Sequence, residues 1–249
     1  DPHIEEQHEM FLYTLRRKLA VTHNDKDKAL FQSMIAMIEY LDEQTNDKQF
    51  YFGTDRFEYV WEKLIDTVFG IPDKTDYFPR TKWTLRHGDQ RDNYALEPDT
   101  IMLYGDKIYV LDAKYYRYGI TGKTKHLPES TSINKQITYG EYIYTQQRFK
   151  DKYGDDVPVF NAFLMPFNRE SNDFETNDFF ANIGEATSDW KVNEHPYERV
   201  QGIVIDTRFL MYNYYGSHTS KILRMAETID RALIENGGQL PTDTTEDEN

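Results

Sequence analysis

The sequence predicts an α/β fold, a mixed sheet flanked by helices and preceded by a helical extension. Three features carry that expectation. Amphipathic helical patterns occupy the first third of the chain, two short apolar runs joined by Gly105-Asp106 read as a hairpin, and helix and strand patterns then alternate up to a last amphipathic helix. No internal repeat breaks this order.

Residues 4–20 place Met10, Leu12, Leu15 and Leu19 at near-helical spacing, and residues 27–43 do the same with Leu30, Met34, Met37, Ile38 and Leu41. The two read as an antiparallel helical pair. Thr54 or Asp55 is the expected cap of a third helix, whose stripe of Phe57, Val60, Trp61, Leu64, Ile65 and Val68 stops at Gly70 ahead of Pro72. Beyond Pro79 a strand is expected from Thr81 to Arg86, followed by stronger ones from Thr100 to Tyr104 and from Lys107 to Lys114. Side chains two apart on a strand point the same way, so Asp112 and Lys114 share a face. Residues 118–130, rich in Gly, Lys, Thr and Pro, read as a mobile loop.

A helix is expected over residues 131–149, a strand over 158–165, a polar acidic stretch over 168–198 and a strand over 199–206. A last helix over 217–236 carries Ile222, Leu223, Met225, Ala226, Ile229 and Leu233 and ends at Gly237-Gly238. The expected organisation is a helical extension over 1–50, one main domain over 51–237, and a disordered acidic tail over 238–249.

Composition removes several chemistries. The chain has no cysteine, which excludes disulfides, thiolate zinc sites, iron–sulfur clusters and cysteine nucleophiles, so any metal must be held by oxygen or imidazole. The histidines show no His-Glu-x-x-His spacing, and no serine sits in a Gly-x-Ser-x-Gly elbow. Gly119 to Thr124 contains Gly-Lys-Thr, but a phosphate loop needs glycine where Arg117 stands. No apolar run approaches the roughly 20 residues that span a bilayer, and no signal-peptide pattern opens the chain. The expectation is a soluble, intracellular protein with no membrane partner. The start at Asp1-Pro2 rather than Met leaves open a processed or excised piece of something longer.

A formal charge of −14 argues against a protein that embraces nucleic acid over its whole surface, and favours help from a partner or a further domain. Part of that charge sits in the tail at Asp243, Glu246, Asp247 and Glu248. Arg117, Lys123, Lys125 and His126 form the conspicuous basic cluster, suited to backbone phosphates and equally to a solvated loop.

Chemistry concentrates in the hairpin. Asp99 begins its first strand and Asp112 lies near the end of the second, so the chain reversal brings two carboxylates side by side. Such a pair repels, which raises a pKa or recruits a hard cation such as Mg²⁺ or Mn²⁺. An ammonium at Lys114 then stabilises charge developing on a phosphate or orients the attacking water. The bland alternative is an Asp112–Lys114 ion pair on a solvated sheet face.

Pro98-Asp99 followed by Asp112-Ala113-Lys114 resembles the signature of the PD-(D/E)XK nuclease superfamily. The segments Leu96-Glu97-Pro98-Asp99-Thr100-Ile101 and Val110-Leu111-Asp112-Ala113-Lys114-Tyr115-Tyr116 are similar to the core of LlaJI-type restriction endonucleases, with similar wording in the McrC nuclease subunits of GTP-dependent restriction systems. By element order the resemblance runs over residues 54–236 and leaves the first fifty unexplained.

The resemblance implies a PD-(D/E)XK restriction-endonuclease-like sheet and a Mg²⁺-dependent endodeoxyribonuclease acting on double-stranded DNA, with Mn²⁺ able to substitute. It implies a type II restriction endonuclease, or the cleavage subunit of a restriction system, in a prokaryotic cytoplasm. By the same resemblance Asp99, Asp112, the Ala113 carbonyl and Glu58 are metal ligands, with Glu62, one turn on, the rival of Glu58. Lys114 is the catalytic base or phosphate contact and Gln136 a positioning group. Tyr139, three positions beyond Gln136, shares its helix face. Cutting two strands with one site per subunit implies a homodimer or a second restriction subunit. The alternatives are a McrC-like subunit dependent on a GTPase partner, a non-catalytic DNA-binding or assembly module, and a repair nuclease. Taken singly, Glu58 and Glu62 also read as solvated helix residues, and Tyr139 as a packing residue.

Overall fold

A computed structural model describes residues 2–43, 55–170 and 172–241. Helices α1 (Pro2–Val21) and α2 (Asp25–Glu43) pack against each other as the expected pair, and α3 (Asp55–Phe69) follows. The side chain of Leu41, the cap at Thr54 or Asp55, and the tail from 242 onward lie outside the described residues.

The stripe on α3 is buried throughout: Phe57, Val60, Trp61, Leu64, Ile65 and Val68 are shielded together with Phe69. Apolar side chains at i, i+3, i+4 and i+7 leave a helix no better option than to lie on a sheet. That sheet is mixed and five-stranded. Strands β3 (Thr100–Tyr104) and β4 (Lys107–Ala113) form the predicted hairpin, with Tyr104 opposite Lys107 and Gly105 turning the chain at a φ of 59°. Strands β5 (Val159–Phe167) and β7 (Val200–Asp206) continue it in parallel, and β6 (Phe180–Ala186) closes the far edge antiparallel to β7. The spatial order is β3-β4-β5-β7-β6.

Helix α3 covers one face with α8 (Thr219–Glu235), and the N-terminal helices join the same apolar cluster through Leu15, Met34 and Met37. Helix α5 (Ser130–Thr145) covers the other face. Its Ile137, Tyr139 and Ile143 pack on side chains such as Val110, Val159 and Phe163. Both faces of the central strands are therefore dry, and β5 is buried along its whole length.

Four expectations need correction. The helix expected over 131–149 is two, α5 and α6 (Gln147–Tyr153), because Gln146 adopts an extended φ, ψ of −77°, 129°. Thr145 Oγ1 bonds back to the Glu141 carbonyl at 2.8 Å, the local competition that helps end helices. The loop expected over 118–130 is structured: it contains α4 (Tyr118–Thr121) and a 3₁₀ turn (Thr124–His126), and α4 is pressed so close to β5 that a Cβ at Gly119 would fall 2.1 Å from the Pro166 carbonyl. The polar stretch over 168–198 holds β6, an edge strand broken by a bulge between Asn182 and Gly184, where alternation is lost. A short helix, α7 (Thr207–Tyr212), follows β7 and is capped by Asp206, which accepts from Phe209 N at 2.8 Å.

The strand expected from Thr81 to Arg86 belongs to no part of this sheet. Strand β1 (Lys82–Thr84) pairs with β2 (Gln90–Asp92) as a separate, fully exposed ribbon. Among the described residues no helix is long and apolar enough to cross a membrane.

Candidate active site

The hairpin register sets Thr100 opposite Leu111, so one further step brings Asp99 to Asp112. Asp99 Oδ2 accepts from the Ala113 amide at 3.0 Å, and the Asp112 carboxyl is close enough to raise the pKa of Asp99. Lys114 Nζ lies 2.8 Å from Asp112 Oδ2, and these two side chains are only 17% and 7% exposed. A pair this buried is not the solvated surface ion pair of the bland reading. Asp99, Asp112 and Lys114 are one cluster.

Its electrostatics follow from that crowding. Burial, then the charge and hydrogen bond of Asp112, then Glu62, push the Asp99 carboxyl up to about 8, against the pull of Lys114. At Lys114 burial works to lower the pKa, but Asp112, backed by Asp99 and Tyr116, outweighs it and the ammonium is held above its ordinary value. In this state Lys114 offers positive charge and donors rather than a free base. Two carboxyls close enough to share a proton are also a donor set that a hard cation relieves, and oxygen is the ligand Mg²⁺ selects. Among the described residues, no three His, Cys, Asp or Glu side chains gather closely enough to hold a metal ion by themselves.

Helix α3 aims Glu62 at the cluster. Burial raises its pKa first, then Glu58 and Asp112 add to the rise while Lys114 and Lys135 oppose it. Glu58 is one turn away and exposed. Glu62, Asp66, Lys74, Glu97 and Asp99 line a cleft of about 270 Å³ that opens beside the hairpin.

The backbone that carries these groups is tied from three directions. Leu164 O on β5 accepts both the Lys114 amide and the Trp61 indole N–H, each at 2.9 Å, so α3 and the lysine share one anchor. Lys74 Nζ bonds the Asp99 carbonyl oxygen and lies 3.0 Å from Asp66 Oδ1, which also accepts from Thr100 Oγ1 at 3.1 Å. From the other face α5 holds β4 and the segment that leads into β3: Gln136 Nε2 donates to the Val110 carbonyl at 2.9 Å, and Tyr139 Oη donates to the Glu97 carbonyl at 3.0 Å. The buried Gln136 and Tyr139 thus act on the hairpin through its main chain. Burial, then Asp112 and Asp99, raise the Tyr139 pKa.

Sequence reasoning passed over Asp66, Lys74 and Lys135. Asp66 lies one helical turn beyond Glu62 on α3, a spacing that could have marked it. Lys135 lies 5.6 Å from the Tyr139 ring centroid and is felt at Glu62, and Lys74 reaches the site from a loop, so no local pattern announced either. The basic residues near α4 do cluster: burial, then Arg117, Lys125 and Lys123, lower the His126 pKa.

A family model described as LlaJI restriction endonuclease matches residues 2–185. The match takes in the N-terminal helices that the motif resemblance leaves unexplained, and ends inside β6. No curated protein matches the chain.

Proposed function

The chain belongs to the LlaJI restriction endonuclease family, and on that premise we propose that it is a Mg²⁺-dependent endonuclease of the PD-(D/E)XK type, hydrolysing phosphodiester bonds of double-stranded DNA at the end of the β3–β4 hairpin. One observation carries the reading: the buried Asp99–Asp112 carboxyl pair with the Lys114 ammonium against it. Asp99 and Asp112 would hold the cation with the Ala113 carbonyl, and Glu62 rather than Glu58 would complete the set, since Glu62 lines the cleft with Asp99. When bound, the cation supplies Lewis-acid polarisation of the phosphate and a more acidic water.

The chain's own residues do the rest. Lys114 meets negative charge growing on the phosphate with an ammonium already held in place by Asp112, so little reorganisation is needed as charge develops. Lys74, Gln136 and Tyr139 keep the hairpin main chain and its entry from shifting, Trp61 holds the β5 carbonyl that the Lys114 amide also uses, and a misplacement of about 1 Å can cost of order a hundredfold in rate.

The net charge of −14 favours a second reading for the assembled enzyme, in which a different subunit, such as a McrC-type GTPase, supplies affinity for DNA. The test is plasmid cleavage with Mg²⁺ or Mn²⁺, with and without such a partner. Asp99→Ala and Lys114→Ala are expected to abolish cutting while the far-UV spectrum stays unchanged. A folded variant that still cuts refutes the assignment.

A further inference from the structure

We propose that the β1–β2 ribbon, residues 80–92, is the arm by which this chain grips duplex DNA next to its carboxylate site. The inference rests on the nuclease reading for what the DNA is there for, but its physical argument is independent of cleavage.

The first observation is exposure. All thirteen residues of 80–92 are exposed, and Trp83 is 60% open to solvent. A two-stranded ribbon is marginal on its own, and this one spends a tryptophan on water instead of on a core. The second is charge. Arg80, Lys82, Arg86 and Arg91 stand against Asp89 and Asp92, a positive segment on a chain whose formal charge is −14. The register sets Trp83 directly opposite Arg91, so an aromatic plane and a guanidinium share one face of the ribbon. Guanidinium groups donate to phosphates and base edges, an aromatic ring makes apolar contact with groups such as the thymine methyl, and the major groove admits a two-stranded ribbon.

The third observation is where the ribbon is rooted. Its base is pinned by Asn93 N to the Thr81 carbonyl at 3.0 Å, Asn93 Nδ2 to Thr81 Oγ1 at 3.0 Å, and Leu96 N to the Pro79 carbonyl at 2.9 Å. On the incoming side Lys74 bonds the Asp99 carbonyl, and on the outgoing side the chain reaches Asp99 itself shortly after Leu96. Both flanks of the ribbon are therefore tied to the main chain around Asp99. Gly88, at a φ of 101°, turns the tip between Arg86 and Arg91, with Gly88 N donating to the Leu85 carbonyl at 2.9 Å. A duplex held by this arm lies beside Asp99.

The experiment is fluorescence anisotropy of the full chain with a labelled mixed-sequence duplex, in EDTA, over a series of salt concentrations. The double variant Arg86→Ala, Arg91→Ala is expected to lose about tenfold in affinity at low salt, and its log K against log salt slope to fall by about 2. Trp83→Ala is expected to weaken binding with the slope unchanged, because it removes no phosphate partner. Unfolding midpoints should stay with the wild type, since these side chains are exposed. Unchanged affinity and slope in the variants overturns the proposal, as does a wild type that binds no duplex. A change in sedimentation with DNA binding intact overturns it too, by making the ribbon a protein interface. Ribbon variants that bind and cut like wild type sink the arm and spare the nuclease; lost binding in a chain that never cuts does the reverse.

Discussion

The Ala113 amide donates to Asp99 Oδ2 at 3.0 Å, so the two halves of the acidic motif are joined by a hydrogen bond as well as by the strand ladder. Asp99 is thereby held on the end of β4, next to Asp112 and Lys114, instead of swinging freely at the start of β3. The carboxyl pair survives in a buried place because the Lys114 ammonium lies against Asp112 and the crowding raises the Asp99 pKa, which favours its neutral form.

The two glutamates of α3 should separate in assay. Glu62→Gln is expected to lower the Mg²⁺-dependent cleavage rate by at least tenfold, and Glu58→Gln to leave it within about twofold, since a good catalytic interaction is worth more than 1.4 kcal/mol. Initial rates on supercoiled plasmid measure both. Equal losses would remove the preference for Glu62.

Lys74→Met removes the donor to the Asp99 carbonyl and the partner of Asp66. A stability loss of about 1–2 kcal/mol is expected, from the lost bonds and an Asp66 left with less compensation. Cleavage should fall further than that loss implies, with the effect in kcat rather than KM, because the residue acts on geometry at Asp99. Denaturant melts and steady-state kinetics separate the two effects.

Trp61→Phe deletes the indole donor to Leu164 O while keeping most of the buried ring. The expected cost is about 1–2 kcal/mol by urea denaturation. Phe at this position cannot restrain the carbonyl that also anchors the Lys114 amide, so slower cleavage should accompany the lower midpoint.

Gly140→Ala places a Cβ 2.5 Å from the Tyr197 Cβ and 2.8 Å from Asn161 Nδ2, so α5 must shift off the sheet. About 1–3 kcal/mol of destabilisation is expected, as for overpacking elsewhere. Thermal melts check it, and the better helix propensity of Ala works in the opposite direction by only about 1 kcal/mol.

Asp206→Ala strips α7 of its cap and leaves the Arg169 amide, now 2.8 Å from Asp206 Oδ2, without that acceptor. The expected loss is about 1–3 kcal/mol in denaturant melts. Asp206→Asn, which keeps one acceptor oxygen, should lose less.

How far sequence reasoning reached depends on how local each feature is. The α3 stripe, the Gly105 turn and the Asp112–Lys114 spacing are written in neighbouring residues, and helix and strand periods translate them directly into faces. Gln136 and Tyr139 were legible as one helix face, but not as clamps on Val110 and Glu97, because nothing in α5 says which strand carbonyls it will meet. Strand β6 escaped because its bulge breaks the alternation that marks a strand.

By itself the sequence determined the order of elements, the hairpin and the acid–acid–lysine motif, since these depend on spacings of a few residues. Only the tertiary structure decided that Lys74 and Asp66 meet the start of that hairpin, that Trp61 and the Lys114 amide share the Leu164 carbonyl, that Glu62 lines the cleft beside Asp99, and that residues 80–92 stand apart from the main sheet. The physical reason is that such contacts join residues distant along the chain, and burial and packing choose among them only once the whole core has closed.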